Sequence, residues 1–248
     1  MEEKIDEFEE FLTESARRIA DYEQLEWQLI ETENPEKRWV RLYGTHDHDG
    51  KYFLKCQAVM KNTDGRRILQ LNIDNAYETR RQWETGELMG IEQLEQYGRQ
   101  MKLIHYRIAV GVWGVSDRDF LGVQKWAHDG EKDLYTLVFK TCKDERWPPI
   151  DGCVAGTCES ILQIRRYQNT NDHVVTIYAT VEPNGWIPSW FLPLIRQWKE
   201  KMRDRMILYR DVAQNRFEEI YHTVFCPACG AEWPSTEDMC RRCRAAFK

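Results

Sequence analysis

Apolar side chains recur at helical spacing near both ends of the chain. Near the beginning they are Ile5, Phe8, Leu12, Ile19 and Tyr22, with charged residues between them. This spacing places the apolar positions on one helix face, so residues 2–22 are predicted to form an amphipathic helix. A longer helix is predicted over residues 189–221, with its apolar stripe at Leu194, Ile195, Trp198, Met202, Met206, Tyr209, Val212, Phe217 and Ile220.

Between these helices most segments have strand character. The predicted strands are residues 26–32, 38–44, 51–61, 87–97, 100–110, 120–127, 134–142, 154–167 and 173–182. A further helix is predicted over residues 64–84. Because the strands follow one another in a long series that helices flank, the sequence predicts an α+β fold built on an antiparallel meander.

The composition limits the class of protein. Of 248 residues, 42% are hydrophobic and 31% are charged, which is typical of a globular chain with a large core. The net charge of −6 disfavours a broad surface for nucleic acid, and none is expected as a partner. No apolar run approaches the ~20 residues of a membrane span. The acidic beginning MEEKIDEFEEF does not resemble a secretion signal, so a cytoplasmic location is expected.

Two CxxC pairs lie near the end of the chain, Cys226 with Cys229 and Cys240 with Cys243. Four thiolates are a ligand set that Zn²⁺ prefers in tetrahedral structural sites. Gly230 follows the second cysteine and permits the left-handed backbone that such turns often need. The pairs therefore predict a structural zinc site, and a redox or unmetallated pair is the alternative.

The zinc site predicts a division of the chain into two parts. Residues 223–248 are predicted to form a zinc-ribbon-like module with four cysteine ligands, and residues 1–222 the main domain. Since four protein ligands leave no coordination position for a substrate, the function is expected to lie in the main domain. That domain lacks a GxSxG elbow, a phosphate-binding glycine loop and an HExxH motif, so the chain is predicted not to be an enzyme.

Short motifs occur in a specific order in the second half of the chain. Ser116-Asp-Arg-Asp-Phe120 opens a predicted strand, Trp147-Pro-Pro149 follows, and Pro183-Asn-Gly-Trp-Ile-Pro-Ser-Trp190 leads into the long helix. This ordered set resembles the START family, the steroidogenic-acute-regulatory-related lipid transfer domains, over roughly residues 20–215.

The resemblance implies the helix-grip fold, in which a curved antiparallel sheet surrounds an apolar tunnel and the C-terminal helix forms its lid. Members of the family bind one lipid and often carry it between membranes. Trp113 and Trp190 would flank the mouth of the tunnel and enter a membrane interface, where tryptophan is favoured. Packing of these side chains against the lid is the alternative.

The predicted helix around Trp83 carries the candidate headgroup site. Arg80 and Glu84 are four residues apart and share one helix face. In the phosphatidylcholine transfer protein of this family, an arginine and an acidic residue in the matching segment hold the zwitterionic headgroup. The resemblance therefore implies that Arg80 contacts phosphate, that Glu84 faces the ammonium or aligns Arg80, and that the ligand is a glycerophospholipid. A solvated surface pair is the alternative.

Sterol-carrying members place an acid–base pair inside the tunnel, at positions that correspond to His105 and Gln124. The pair is not kept here, which disfavours a sterol, and both residues are candidate polar groups of the tunnel. Hydrogen-bonded core residues are the alternative. Arg118 and Asp119 are predicted to form an ion pair that anchors a strand and a loop.

Together these observations predict a lipid-binding protein that is peripheral at membranes and contacts them transiently. Its zinc module is expected to dock a protein partner, to contact a membrane or to cap the end of the long helix. Two alternatives stay open. One is a zinc-ribbon adaptor whose larger domain scaffolds protein contacts. The other is an enzyme of the wider helix-grip superfamily, with His105 or Glu159 as acid or base.

Overall fold

One large sheet organises the part of the chain that the structure describes. The computed structural model describes residues 14, 17–19, 21–30, 40–46, 51–84, 87–111, 114–168, 170–182, 184–185, 194–226 and 231–234. The strands are β1 (Gln28–Ile30), β2 (Val40–His46), β3 (Tyr52–Met60), β4 (Leu88–Tyr97), β5 (Met101–Ile108), β6 (Asp117–Asp129), β7 (Leu134–Thr141), β8 (Cys153–Ala155), β9 (Thr157–Arg166), β10 (His173–Glu182), β11 (Thr223–Phe225) and β12 (Glu232–Pro234).

The sheet has the order β1-β2-β3-β10-β9-β7-β6-β5-β4, and neighbouring strands are antiparallel. The short strand β8 pairs in parallel with the beginning of β6, and β11 and β12 form a separate hairpin. Every strand predicted from the sequence overlaps an observed strand, and the α+β prediction is confirmed. The predicted strand 154–167 is interrupted at Gly156, where a Cβ atom would lie 2.4 Å from the Phe120 ring.

The helices are α1 (Gly65–Ile73), α2 (Tyr77–Arg80), α3 (Leu194–Asp211), a π-helical turn (Val212–Arg216) and α4 (Phe217–Ile220). The single helix predicted over residues 64–84 is thus divided. Asp74 leaves α1 with extended backbone (φ −71°, ψ 120°), and its carboxylate accepts a hydrogen bond from Ala76 N at 3.0 Å. This local bond competes with the helix and ends it.

The long C-terminal helix contains the π-helical turn where its apolar stripe has an irregular gap. Val212 and Phe217 are five residues apart, one more than the stripe uses elsewhere, and the wider π turn brings both into the core. Two side chains hold this turn: Gln214 Nε2 donates to Thr63 Oγ1 at 2.9 Å, and Arg67 Nη1 donates to the Ala213 carbonyl at 3.1 Å.

The two faces of the sheet have different partners. The inner face packs against α1, α3 and the π turn, in a core that includes Cys56, Ala58, Leu137, Leu162, Val175, Met206 and Tyr209. On the outer face, Ile19 and Tyr22 pack against Val138 and Ile161. Residues 14, 17–19 and 21–23 are helical, as predicted for that part of residues 2–22.

Candidate functional site

An apolar wall covers one end of the inner face. It consists of the buried residues Ile104, Phe120, Phe139 and Cys158, with Tyr106, Ile108 and Val181 packed against them. The Tyr106 and Phe120 rings stack with their centroids 4.9 Å apart. Helix α1 packs on β7 and β9 at the opposite end of these strands. The wall is therefore separated along the sheet from the helix-covered core.

Small side chains lie on the inner face between the wall and that core. Ser160 and Ala179 are cross-strand partners, and Phe139 pairs with Ser160 on its other side. Ser160 alternates with the buried residues Cys158 and Leu162, so it points to the same face. It is only half-buried, as are Ile177 and Tyr106 on this face. We call the region above these half-buried side chains, between the sheet and α3, the inner space.

A charged cluster of Arg80, Glu84 and Arg205 borders this space. Arg80 donates to Glu84 Oε2 through Nε at 2.8 Å and also through Nη2. Arg205, from α3, donates through Nη2 to the other carboxylate oxygen, Oε1. The Arg80 and Glu84 side chains are 5% and 14% exposed, whereas Arg205 is 41% exposed. The solvated surface pair considered for Arg80 and Glu84 is therefore wrong, because the pair is buried.

Electrostatics keep this cluster ionised. Burial disfavours the charged form of Glu84, but the guanidiniums of Arg205 and Arg80 outweigh it and hold the pKa of the carboxyl below its ordinary value. Burial also opposes the charge of Arg205, yet Glu84 raises the pKa of that guanidinium. With two cations and one anion, the cluster has a net charge of +1.

The cluster and the apolar wall lie on the same side of the sheet, because Arg205 belongs to α3 and α3 packs on the inner face. Arg205 interacts electrostatically with both Tyr106 and Cys158, which belong to the wall. Burial raises the pKa of the Tyr106 hydroxyl well above its ordinary value and that of the Cys158 thiol to about 12, so both are neutral at physiological pH. An amphiphile between wall and cluster would meet apolar side chains at one end and positive charge at the other.

A buried hydrogen-bond chain connects the cluster to the end of the long helix. Trp83 Nε1 donates to the Tyr221 hydroxyl at 3.0 Å, and that hydroxyl donates to Asp74 Oδ2 at 3.1 Å. The Arg80 guanidinium lies 4.8 Å from the Trp83 ring centroid. Arg80 Nη1 also donates to the carbonyls of Leu71 and Asp74. Arg80 therefore stabilises the backbone between α1 and α2. It does so with guanidinium N–H donors that were predicted to contact a ligand.

Gln124 lies on the inner face, as predicted, but its side chain forms hydrogen bonds to residues at and just after the end of α1. Its Nε2 donates to the Asn72 carbonyl at 2.9 Å, and its Oε1 accepts from Asn75 Nδ2 at 3.1 Å. Lys102 acts similarly, since its Nζ donates to the Ile73 carbonyl at 3.2 Å. The side chain of Gln124 therefore fits the alternative of a hydrogen-bonded core residue.

His105 lies on the outer face, so its prediction as a tunnel residue is wrong. It alternates along β5 with the inner residues Ile104 and Tyr106, and its Nε2 bonds to Asp119 Oδ1. Residues were counted from the RDF motif without allowing for gaps. An error of one position in such a count moves a strand side chain to the opposite face of the sheet. Glu159 also faces outward, where it accepts from Arg18 and, at 3.1 Å, from the Tyr22 hydroxyl. Neither acid–base candidate of the enzyme alternative lies in the inner space.

Arg118 and Asp119 anchor loops as predicted, but separately. Arg118 donates to the carbonyls of Ser116 and, at 3.0 Å, Asn184. Asp119 points to the other face, where Oδ2 accepts from Ile150 N at 2.6 Å. As successive strand residues they point to opposite faces, so the predicted ion pair between them is wrong.

Asp119→Ala is expected to destabilise the fold by about 2 kcal/mol, because it leaves the partly buried Ile150 N–H unsatisfied and removes the partner of His105. Urea denaturation monitored by tryptophan fluorescence measures this change. Lipid binding is expected to stay unchanged because Asp119 faces away from the inner space. A variant with wild-type stability and altered lipid content would contradict this structural role.

Several predicted site residues lie outside the described residues: Trp113, Trp190, Cys229, Cys240 and Cys243. Cys226 is described and is 3% exposed within the main core. Its N–H donates to the Ala231 carbonyl at 2.8 Å and closes the β11–β12 hairpin. Within the described ranges no group of three or more His, Cys, Asp or Glu residues could hold a metal ion. The zinc site stays a prediction, because three of its four proposed ligands lie outside the described residues.

Arg205 and Tyr106 were missed by the sequence analysis. Arg205 carried a detectable signal, because it lies three residues after Met202 and four before Tyr209, within the apolar stripe of α3. A charged residue on a core-facing stripe needs a buried partner or a ligand. Tyr106 carried no such signal, since an aromatic residue in a strand is ordinarily core.

Comparison with known proteins identifies the fold. No family model and no curated protein matches the sequence. The crystal structure of human STARD10 matches with a TM-score of 0.67 and 15% identity, over 82% of this chain and 80% of that chain. The lipid transfer and protein localization domain of human StarD13 (DLC2) matches with a TM-score of 0.63 and 16% identity, over 82% and 97% of the two chains.

A bacterial structure gives the same result. The STAR-related lipid transfer protein fragment from Xanthomonas axonopodis matches with a TM-score of 0.60 and 18% identity, over 76% of this chain and 99% of that chain. These likenesses agree with the order of the sheet and with the long C-terminal helix packed on its inner face. The chain therefore has the α+β helix-grip fold of the START-related lipid transfer domains.

Proposed function

We propose that the protein binds a single lipid between the inner face of the sheet and α3, and transfers it between membranes. The observation that supports this most is that an apolar wall and a cationic cluster lie on the same side of the sheet, where several inner-face side chains are only half-buried. Acyl chains removed from water against such a wall gain about 0.8 kcal/mol per methylene. The matched solved structures include proteins whose names describe lipid transfer.

The lipid class that fits the cluster is a glycerophospholipid. Guanidinium groups bind phosphate oxygens through directional N–H donors, and the guanidinium of Arg205 is 41% exposed. A sterol offers one hydroxyl and would leave this charge unpaired, which is costly away from water. The proposed binding is noncovalent, and no catalytic step is assigned to the protein.

Transient membrane contact completes the proposal. No helix in the described part of the chain combines the length and apolarity that crossing a bilayer requires. Trp113 and Trp190 are proposed to enter the membrane interface while a lipid is exchanged. We place the protein in the cytoplasm, peripheral at membranes, with no nucleic-acid partner.

Lipid identification in the native protein tests this proposal. Protein purified from cells is analysed by native mass spectrometry, and bound lipids are extracted and identified. A stoichiometric glycerophospholipid is the expected result. An empty protein with a filled interior and a bound protein partner would instead favour the adaptor, and turnover of a bound molecule would favour an enzyme.

We also propose that Cys226, Cys229, Cys240 and Cys243 hold a structural Zn²⁺ and that this module docks a protein partner. Metal analysis is expected to find about one zinc ion per chain. A Cys240→Ser, Cys243→Ser double variant is expected to lose the metal. Its melting temperature should fall by about 5 °C, because the hairpin that carries Cys226 packs into the main core.

A matched control for the zinc prediction is Cys142→Ser. Cys142 is half-buried and lies outside the module. This variant is expected to keep its zinc. Wild-type protein that contains no zinc after purification without chelators would contradict the metal proposal and would leave the lipid proposal standing.

A further inference from the structure

The two arginines of the charged cluster differ in how many of their N–H donors have hydrogen-bond partners within the protein. Arg80 is 5% exposed, and its donors point to Glu84 and to the carbonyls of Leu71 and Asp74. Arg205 is 41% exposed and donates to Glu84 through Nη2. Its Nε is buried and has no hydrogen-bond partner among the described residues. Arg205 also hydrogen-bonds to Tyr209, so its unused donor capacity lies at Nε.

The carboxylate of the cluster is already neutralised. Glu84 Oε2 accepts from Arg80, and Oε1 accepts from Arg205. A zwitterionic headgroup such as phosphocholine brings an ammonium as well as a phosphate, and the ammonium needs an unpaired anion or an aromatic cage. Because both Glu84 oxygens face guanidiniums, this carboxylate is a poor partner for an ammonium.

The charge of the cluster favours an anion. Two guanidiniums and one carboxylate leave a net charge of +1 beside an apolar wall. A net charge in such surroundings is stabilised by a ligand of opposite charge, and a charge-assisted hydrogen bond to phosphate is stronger than a neutral one. A zwitterionic lipid has no net charge and would leave the cation uncompensated.

We propose that Arg205 binds the phosphate of the lipid and that the protein selects an anionic glycerophospholipid over a zwitterionic one. This inference rests on the proposed function and names the class of its ligand. Arg80 acts as a positioning residue that holds Glu84, and Glu84 orients Arg205.

Competitive loading tests the proposal. Purified protein is incubated with vesicles that contain equal amounts of phosphatidylglycerol and phosphatidylcholine with identical acyl chains, and the bound lipids are quantified by mass spectrometry. Wild-type protein is expected to take up phosphatidylglycerol with a preference of about fivefold or more. Arg205→Gln is expected to bring this ratio close to unity, and Arg205→Lys to keep part of it because the charge remains.

Arg203→Gln is the matched control. Arg203 lies on the same helix, and its Nε donates to the neighbouring Asp204 at 3.2 Å rather than to the cluster. This variant is expected to keep the wild-type ratio. Circular dichroism and thermal unfolding of all variants establish that Arg205→Gln is folded, and Arg205→Lys supplies the comparison if it is not.

The outcomes separate the inference from the proposed function. Wild-type protein that takes up no lipid overturns both. Protein that binds lipid but prefers phosphatidylcholine, or an unchanged ratio in both Arg205 variants, overturns the inference and leaves lipid binding intact. Inorganic phosphate serves as a third probe: Arg205-dependent binding of free phosphate by protein that rejects phosphatidylglycerol would also overturn it.

Discussion

Glu84→Gln is expected to lower the free energy of unfolding by about 3 kcal/mol. The carboxylate accepts from Arg80 and Arg205 and is 14% exposed. Glutamine has a similar shape but no charge, so two guanidiniums would remain side by side beside an apolar wall without their anion. Urea denaturation at neutral pH, followed by circular dichroism, measures the loss.

The pH dependence of this effect has a defined sign. The pKa of Glu84 lies below its ordinary value of 4.5 in the folded protein. Its contribution to stability is therefore fully present above that ordinary value and is lost as the pH falls through the lowered one. The difference between wild type and Glu84→Gln is expected to shrink in acid, which denaturation curves across this range would measure.

Glu78→Gln is the control for Glu84. Glu78 lies in α2 and pairs with Arg81, the residue that follows this helix, and these side chains are 72% and 58% exposed. An exposed pair contributes little, so this variant is expected to change stability by less than about 0.5 kcal/mol. Equal effects of the two substitutions would mean that Glu84 is not the buried anion of a charged cluster.

Ser160→Trp is expected to reduce lipid binding more than about tenfold while the protein stays folded. Ser160 faces the inner space next to the small residue Ala179, and it is half-buried. An indole ring at this position would occupy volume that the acyl chains are proposed to use. Lipid content after vesicle loading, measured by mass spectrometry, is compared with thermal stability.

Arg165→Trp gives the matching substitution on the other face of the same strand. Arg165 is exposed and alternates with the inner residues of β9. This variant is expected to bind lipid normally. If Ser160→Trp instead unfolds the protein and Arg165→Trp does not, the space above Ser160 is filled by side chains, and the lipid proposal fails.

The sequence predicts the architecture well because alternation and helical spacing record which residues face the core. The inner residues of β9, Cys158, Leu162 and Ile164, are recognisable in this way. Which side chains pair with each other is harder to predict from the sequence. His105 differs from its inner neighbours only by one position in a strand, and counting from a motif placed it on the wrong face.

Two of the three residues of the charged cluster, Arg80 and Glu84, were identified from the sequence, and Arg205 was missed. Arg80 and Glu84 are four residues apart, so their pairing follows from helical spacing even though the observed helix α2 ends at Arg80. Arg205 is 121 positions from its partner Glu84, and only the packing of α3 brings them together. That packing changes the chemistry of the pair, because an Arg–Glu pair is neutral and the complete cluster is cationic.

The first cysteine of the terminal hairpin shares a core with Tyr209 and Tyr221. The sequence predicts a domain boundary after residue 222. A chain truncated at His222 would lack Cys226 and would expose the apolar surface that Cys226 covers. Unfolding of the hairpin and of the neighbouring core is therefore coupled, and both should melt in one cooperative transition. A substitution at the distal cysteines that unfolds the hairpin is therefore expected to lower the stability of this core as well.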